Sequence, residues 1–200
     1  MLYYERKLKK LGVEIIIGID EAGRGPLAGP VVAAAVALKK NSFQNRIDDS
    51  KKLNPAQREK AYSEIIAHSD FGIGIVSEQV IDLLNIRNAT KLAMEQAVAK
   101  LIAKIKPRDS KKIHLIVDGN MKINAGFPCW AIVKGDGKSK SIAAASILAK
   151  VTRDRIMGIY DKAFPQYGFL QHKGYPTLMH RNRIREFGPS IIHRASFSFD

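Results

Sequence analysis

The stretch Ile15-Ile16-Ile17-Gly18-Ile19-Asp20-Glu21-Ala22-Gly23-Arg24-Gly25-Pro26 decides how this chain folds. Its first residues are apolar and mostly β-branched, a pattern typical of a strand that is buried on both faces. The strand is predicted to end at two adjacent carboxylates, Asp20 and Glu21, which are costly to bury without a positive partner. Arg24, in the glycine turn that follows, and a metal ion are the two candidates for that partner.

The composition favours a globular protein with an anionic partner. The chain has 200 residues, enough for one domain with a real core, and is 46% hydrophobic and 26% charged. Lys and Arg number 33 against 19 Asp and Glu, which gives a formal net charge of +14. Such an excess is typical of proteins that bind nucleic acid, although a merely basic soluble protein is the alternative.

Targeting and redox features favour a cytoplasmic protein. The single cysteine, Cys129, excludes an internal disulfide and a thiolate metal cluster. The charged N-terminal residues lack the apolar segment of a secretory signal. An uninterrupted apolar run of about 18 residues, as a membrane span requires, is not found. We therefore expect a soluble, cytoplasmic protein.

The periodicity of the whole chain predicts an α/β fold, a mixed sheet flanked by helices. Predicted strands cover about residues 13–20, 31–38, 71–76, 113–117 and 130–133. Predicted helices cover about residues 1–12, 54–68, 89–105 and 138–162, with a shorter helical stretch from residue 77 and a basic helix before residue 187. We expect a single domain over residues 1–200, with its core at about 13–162 and a C-terminal helical region at about 163–200.

Acidic residues follow three of the predicted strands. They are Asp20 with Glu21, then Asp118, then Asp136. Sites in α/β folds are commonly built at strand ends, and four converging carboxylates would repel one another unless cations neutralise them. Oxygen ligands suit Mg²⁺ or Mn²⁺, and a two-metal carboxylate site on a basic chain indicates phosphodiester hydrolysis. Taken singly, each acid is more simply explained as a turn residue that accepts backbone hydrogen bonds.

Two glycine-rich segments match nucleotide-binding loops only in part. Arg24 and Pro26 interrupt the dinucleotide-binding pattern, although the flanking glycines allow close backbone approach. Gly137-Lys138-Ser139 is like the end of a P-loop, but the first glycine of that motif would fall at Ile132. We therefore exclude ATP binding through a P-loop.

Several motifs together resemble the bacterial ribonuclease HII family. They are Gly18-Ile19-Asp20-Glu21-Ala22-Gly23-Arg24-Gly25-Pro26, Val117-Asp118-Gly119, Lys134-Gly135-Asp136 with Lys138-Ser139, Ala143-Ala144-Ala145-Ser146-Ile147-Leu148-Ala149-Lys150-Val151, and His172-Lys173-Gly174-Tyr175-Pro176-Thr177 with His180. The resemblance begins at about residue 13 and keeps the family's motif order. It implies a ribonuclease H-like fold with a C-terminal helical region. It also implies cleavage of the RNA strand of RNA–DNA hybrids, including at single ribonucleotides in duplex DNA.

The resemblance implies roles for individual residues. Asp20, Glu21, Asp118 and Asp136 would form a metal-dependent acidic site that uses Mg²⁺ or Mn²⁺ and leaves 3′-hydroxyl and 5′-phosphate ends. The backbone of Gly23-Arg24-Gly25 is suited to pairing with the 2′-hydroxyl, the group that distinguishes RNA from DNA.

Three side chains are candidates for further substrate contacts. By resemblance, Tyr175 would stack on the deoxyribose beside the RNA–DNA junction, although Gly-Tyr-Pro is also a common turn. Lys51 and Lys138 are candidates for phosphate contacts, and each has the alternative of a solvated surface lysine.

Structural roles are the alternative for several polar side chains. Arg24 has the alternative of a salt bridge to Asp20 or Glu21. We expect His172 and His180 to be structural rather than acid–base groups. Asp154 is expected to form an ion pair within its helix rather than to bind metal.

Two other functions compete with the leading hypothesis. A ribonuclease HIII would lack the arginine between the glycines and would carry an extra N-terminal domain, so Arg24 and the short segment before the first strand argue against it. A non-catalytic nucleic-acid-binding module with structural cations is the second, and repelling acids beside a polyanion argue against that. We expect a monomer that acts on RNA–DNA hybrids and on ribonucleotide-containing duplex DNA.

Overall fold

A computed structural model describes residues 1–107 and 109–199. The strands are β1 (Ile15–Ala22), β2 (Val31–Leu38), β3 (Ser69–Val76), β4 (Ile113–Asp118) and β5 (Cys129–Ile132). The helices are α1 (Tyr3–Lys10), α2 (Pro55–His68), α3 (Glu78–Ile105), α4 (Lys140–Ala163), α5 (Phe169–His172) and α6 (Leu178–Phe187). Short 3₁₀ turns cover Ser50–Lys52, Ser110–Lys112, Gly135–Gly137 and Pro165–Tyr167.

The strands form one mixed sheet in the order β3-β2-β1-β4-β5. β1 is the central strand, antiparallel to β2 and parallel to β4, so that Ile19 lies between Ala35 and Val117. β2 pairs antiparallel with β3, and β4 pairs parallel with β5. The predicted mixed sheet is therefore confirmed, and its first two strands pair antiparallel.

The two faces of the sheet are covered by different helices. Ile17 and Ile19 of β1 pack against Ala93 and Met94 of α3 on one face. On the other face, Val32 and the alternate residues of β2 pack against the alanine-rich half of α4 and against α2. Because successive strand residues point to opposite faces, this alternation also fixes which face each acid of β1 occupies.

Glycines in the strands allow the helices to approach the sheet closely. A Cβ atom at Gly18 would overlap the backbone of Ser141 at the start of α4. A Cβ atom at Gly74 would overlap the carbonyl of Ala93 in α3. The glycines that interrupt the predicted strand at residues 71–76 therefore let α3 pack directly on the sheet, because they lack a side chain.

Two details of the predicted elements differ from the structure. β1 does not end at its acids, because Asp20, Glu21 and Ala22 continue the pairing with β2. The two helical stretches predicted after residue 77 form the single α3, interrupted at Asn85. The φ of Asn85 is 64°, which is non-helical, and its side chain accepts a hydrogen bond from the Asn88 amide at 3.1 Å. The interruption is thus capped like the start of a new helix.

The first helix, α1, is anchored in the core of the protein. Leu8 is 1% exposed and Glu5 is 7% exposed. The Glu5 carboxylate accepts hydrogen bonds from the Ser139 hydroxyl at 2.6 Å and from the Ser141 amide at 3.0 Å. A carboxylate at this position is stabilised by the N-terminal end of the α4 dipole, so Glu5 anchors α1 to the core.

The C-terminal region folds back onto the segment between β1 and β2. The Gly29 amide donates to the Ile192 carbonyl at 2.8 Å, and the Arg194 amide donates to the Leu27 carbonyl at 2.8 Å. The Leu27 amide in turn donates to the Gly174 carbonyl at 2.8 Å.

Among the described residues, the helices include none long and apolar enough to cross a membrane.

Candidate active site

Three carboxylates converge on the α4 side of the sheet. Asp20 lies in β1, Asp118 is the last residue of the neighbouring parallel strand β4, and Asp136 lies in the 3₁₀ turn after β5. One ligand oxygen from each lies within 4.8 Å of the others. The predicted convergence of strand-end acids is therefore seen for these three residues.

Glu21 is not part of that closest group. It follows Asp20 in β1 and has no oxygen in the group that lies within 4.8 Å, although its charge is near enough to raise the pKa of Asp20. Its carboxylate instead accepts a hydrogen bond from Arg24 at 3.3 Å. This is one of the two partners proposed for Arg24 from the sequence, and the role of Glu21 as a metal ligand stays a prediction.

Backbone amides and hydroxyls fix the clustered acids. Oδ1 of Asp118 accepts hydrogen bonds from the amides of Gly135, at 2.6 Å, and of Asp136, at 3.4 Å. Oδ1 of Asp20 accepts from the Glu21 amide at 2.7 Å, and the nearby Ser146 hydroxyl acts to lower the pKa of Asp20. The turn after β5 is thus tied directly to the end of β4, which preorganises the cluster.

The electrostatics of the cluster favour a cation. Burial, followed by repulsion from Glu21 and Asp118, raises the pKa of Asp20 well above its ordinary value. Burial and repulsion from Asp118 also raise the pKa of Asp136. Burial raises the pKa of Glu21 although Arg24 acts in the opposite direction. Carboxylate oxygens that repel one another at this distance fit a divalent cation, which would relieve the repulsion.

Lys51 lies close to the cluster. Burial acts to lower the pKa of its ammonium group, but the nearby carboxylates, Asp49 foremost and then Asp20 and Asp136, outweigh burial and raise it. The preceding residue, Ser50, is buried and its hydroxyl lies 2.9 Å from that of Ser146. The loop that carries Lys51 is therefore joined to α4, the helix that covers this side of the sheet.

Lys138 has a different environment. Its ammonium group is exposed and donates to the Val133 carbonyl at 2.7 Å. The structure places it after the turn of Asp136, with no carboxylate partner among the described residues. Its phosphate contact stays a prediction.

The glycine turn lies between the cluster and Tyr175. Gly23 has a φ of +99°, and a Cβ atom there would overlap the guanidinium of Arg153, so both the conformation and the space require glycine. A Cβ atom at Gly25 would lie 3.9 Å from the Tyr175 ring. The Tyr175 side chain is 40% exposed, and its ring lies 5.8 Å from the Lys150 ammonium. The predicted recognition residues are therefore neighbours in space.

The histidines of the C-terminal region are buried. His172 and His180 stack with ring centroids 4.2 Å apart, and Nε2 of His180 lies 3.0 Å from Nε2 of His193. Asp154 forms an ion pair with Lys150 at 2.9 Å, four residues before it in α4. The predicted structural roles agree with these contacts.

Several residues support the site from a distance and carry no local signal of that role in the sequence. Ser146 belongs to the alanine-rich motif, yet nothing in that motif indicates that its hydroxyl acts on Asp20. Arg153 and Arg194 are both 0% exposed, and their guanidinium groups donate to carbonyls around the glycine turn. Their position late in the chain gave no local signal. Arginine is rarely buried completely, so their burial in the structure is the signal that these two residues have a specific role.

The fold and the acidic cluster define the class of protein. The chain is similar to a chain of the PCNA–ribonuclease HII complex from Archaeoglobus fulgidus, with a TM-score of 0.73 and 28% sequence identity. The similarity covers 92% of this chain and 96% of that one. The molecule therefore has a ribonuclease H-like fold, as the sequence predicted.

Sequence comparisons place it more narrowly. The family model described as Ribonuclease HII matches residues 17–199. Ribonuclease HII of Pseudothermotoga lettingae is 52% identical over 183 residues, 92% of this chain and 77% of the relative. Ribonuclease HII of Geobacillus thermodenitrificans is 50% identical over 199 residues, 99% of this chain and 74% of the relative. This chain belongs to the ribonuclease HII family, and is a divalent-metal-dependent ribonuclease.

Proposed function

We propose that this ribonuclease cleaves the RNA strand of RNA–DNA hybrids and also cuts duplex DNA at single embedded ribonucleotides. Family membership supports the first activity. The observation that supports the second is the position of the glycine turn, which directly follows Asp20 and Glu21 of β1 and places Gly25 beside the exposed ring of Tyr175. Recognition of one ribose would therefore adjoin the point of cleavage.

The carboxylates of Asp20, Asp118 and Asp136 would hold Mg²⁺ or Mn²⁺, with Glu21 as a further ligand. Bound divalent ions lower the pKa of water and stabilise the charge of the departing oxygen, which yields 3′-hydroxyl and 5′-phosphate ends. The amides that donate to Asp118 keep its carboxylate in place.

The remaining residues bind and orient the nucleic acid. The backbone of Gly23-Arg24-Gly25 pairs with the 2′-hydroxyl, and the ring of Tyr175 stacks on the adjacent deoxyribose. Lys51, beside the cluster, contacts the phosphate, and Lys138 does so from the exposed end of the turn that carries Asp136. The net charge of +14 supports attraction of the polyanion, and we include in the proposal that the enzyme acts as a cytoplasmic monomer.

A gel assay tests the proposed activity. It compares an RNA–DNA hybrid, a DNA duplex with one ribonucleotide and an all-DNA duplex, each with Mg²⁺, Mn²⁺ or a chelator. We expect cleavage of the first two duplexes only, and only with a divalent ion. Uncut ribonucleotide duplex beside a cleaved hybrid would contradict the second activity.

The substitution Asp118→Asn tests the site. It keeps the shape of the side chain but removes its charge, so cleavage should be abolished while binding of the hybrid is intact or tighter. The matched control is Asp70→Asn in β3, an acid paired with Lys39 at 2.9 Å and absent from the cluster. Full activity of the Asp118 variant with Mg²⁺ would show that the site is wrongly assigned.

A further inference from the structure

Arg194 is a buried side chain whose donors all meet the segment between β1 and β2. Its residue is 0% exposed. Nη2 donates to the carbonyls of Gly23 at 2.6 Å and Gly29 at 2.7 Å, and Nη1 donates to those of Arg24 at 3.1 Å and Pro26 at 2.8 Å. Nε donates a further bond to Gly29 at 2.9 Å. One guanidinium group therefore satisfies four carbonyls of an irregular turn.

Burying the guanidinium group of Arg194 costs desolvation free energy, which its hydrogen bonds must offset. A buried charge is ordinarily paired, yet Arg194 has no salt bridge to a carboxylate within the described parts of the chain. Burial lowers the pKa of its guanidinium to about 9, so the group is still protonated at neutral pH. The fork of five N–H donors is the one side chain that can satisfy so many converging carbonyls.

The carbonyl bonds have a consequence for the amides of the same turn. Arg24 and Gly25 are exposed. Their amide N–H groups have no acceptor among the described residues, whereas the carbonyl of Arg24 is bound to Arg194. The peptide groups are therefore oriented with their acceptors inside the protein and with donors left for a ligand.

Arg153 connects the same turn to the segment that carries Tyr175. Its Nε donates to the Pro30 carbonyl at 3.0 Å and its Nη2 to the Ala28 carbonyl at 3.0 Å. Its Nη1 donates to the Lys173 carbonyl at 2.9 Å. Two buried arginines thus hold the glycine turn and the Tyr175 segment in one fixed arrangement.

We propose that Arg194 is a positioning residue for ribonucleotide recognition: it holds the carbonyls of the Gly23–Pro26 turn inward and so presents the amides of Arg24 and Gly25 to the ribose 2′-oxygen. The inference rests on the proposed function, because it assigns this turn to reading the ribose. Arg194 touches neither the carboxylate cluster nor the substrate. Its contribution is therefore to selectivity rather than to the cleavage step.

Binding selectivity tests this role. Duplex affinity is measured with Mg²⁺ in the Asp118→Asn background, so that the substrate stays intact, with Arg194 retained or replaced by Lys. Lysine keeps the charge but cannot satisfy four carbonyls. We expect the preference for the ribonucleotide duplex over the all-DNA duplex to fall about tenfold, the size of one lost hydrogen-bond contact, with all-DNA affinity unchanged. Arg183→Lys, on the exposed face of α6, is the matched control and keeps the preference.

The outcomes separate the two proposals. A folded Arg194→Lys variant with an unchanged preference would overturn the positioning role. If the protein with Arg194 intact shows no preference for the ribonucleotide duplex, the proposed function fails instead, and the positioning role fails with it.

A second measurement decides the question if the Arg194 variant does not fold. Amide NMR signals of Arg24 and Gly25 are followed in the Asp118→Asn protein, with Arg194 present. Both signals should shift when the ribonucleotide duplex is added and shift less with the all-DNA duplex. Identical shifts with the two duplexes would overturn the inference.

Discussion

At the scale of single residues, Asp20 shows a conflict between stability and function. Its pKa is raised, first by burial and then by Glu21 and Asp118. A carboxyl group with a raised pKa binds its proton more tightly in the folded state. The metal-free protein therefore loses stability as pH rises from the ordinary range of the carboxyl through its raised pKa. A cation that enters the site removes this cost.

We predict that Asp20→Asn raises thermal stability in chelator while it abolishes cleavage. The reason is that the amide removes a buried, repelled charge and keeps the side-chain shape. Each kcal/mol gained should raise Tm by about 2–4 °C for a domain of this size. Thermal denaturation with and without Mg²⁺ is the measurement, and Mg²⁺ should stabilise the native protein more than the variant. A lower Tm of the variant in chelator would contradict the prediction.

Tyr175 allows a prediction about substrate choice. Tyr175→Ala should reduce kcat/KM at single ribonucleotides by about tenfold more than on long hybrids, as expected for a lost contact of about 1.4 kcal/mol. Tyr175→Phe is the control, because it keeps the ring that lies beside Gly25. Steady-state cleavage of both substrates provides the comparison. An equal loss on the two substrates, with folding intact, would indicate a purely structural tyrosine.

At the scale of elements, the sheet depends on missing side chains. α3 lies so close to β3 that a Cβ atom at Gly74 would overlap the Ala93 carbonyl. By contrast, a Cβ atom at Gly158 in α4 has its nearest neighbour 3.8 Å away, on Leu170. Replacing Gly74 or Gly158 by alanine should therefore change the free energy of unfolding in opposite directions.

We predict that Gly74→Ala destabilises the protein by about 2 kcal/mol or more, because the helix backbone must shift. Gly158→Ala should stabilise it by about 0.5–1 kcal/mol, since alanine is the better helix former. Urea denaturation measures both free energies of unfolding. A neutral Gly74→Ala would show that α3 can move away from the sheet without cost.

Local patterns predicted most of these elements. The apolar runs located every strand to within a few residues, and Asn54 with Pro55 marked the start of α2. The extension of β1 through Ala22 was missed because its last residues are polar or small, and only pairing with β2 reveals it. The contact between Glu21 and Arg24 was available from the sequence, since an arginine three residues after an acid is a natural partner for it.

The buried arginines could not have been predicted in this way. Arg153 and Arg194 meet carbonyls of the segment between β1 and β2 that are 123 to 171 residues away in the sequence, and such contacts leave no periodic signal. The acids could be predicted because a carboxylate at a strand end indicates its own chemistry, and the order of the motifs supported that prediction. The residues that position the turn act through the backbone of other residues, so their role appears only in three dimensions.

At the scale of the whole molecule, neutral histidines help to hold the C-terminal region. Nδ1 of His193 accepts from the Ser190 amide at 2.8 Å, so its Nε2 carries the proton and donates to His180. Nδ1 of His180 then donates to the Tyr175 carbonyl at 3.0 Å. This chain of bonds requires both rings to be neutral, because each ring has one donor and one acceptor in use.

We predict that acid weakens this part of the molecule. Burial, with a contribution from His172 in each case, lowers the pKa of His180 and of His193 to about 4. The unfolded rings bind protons below about pH 6.5, so stability is complete above that pH and decreases toward pH 4, by about 2 kcal/mol or more. NMR titration of the His180 and His193 rings measures where each one binds its proton. Protonation of His180 near pH 6.5 would contradict it.

The distance in sequence between Arg194 and the turn it supports has a consequence for biosynthesis. Arg24 and Arg194 are 170 residues apart. Translation proceeds from the N-terminus, and a domain generally folds as a unit. All three clustered acids emerge from the ribosome before the residue that sets the shape of the turn. The proposed reading of the ribose therefore depends on a residue that leaves the ribosome after all three clustered acids.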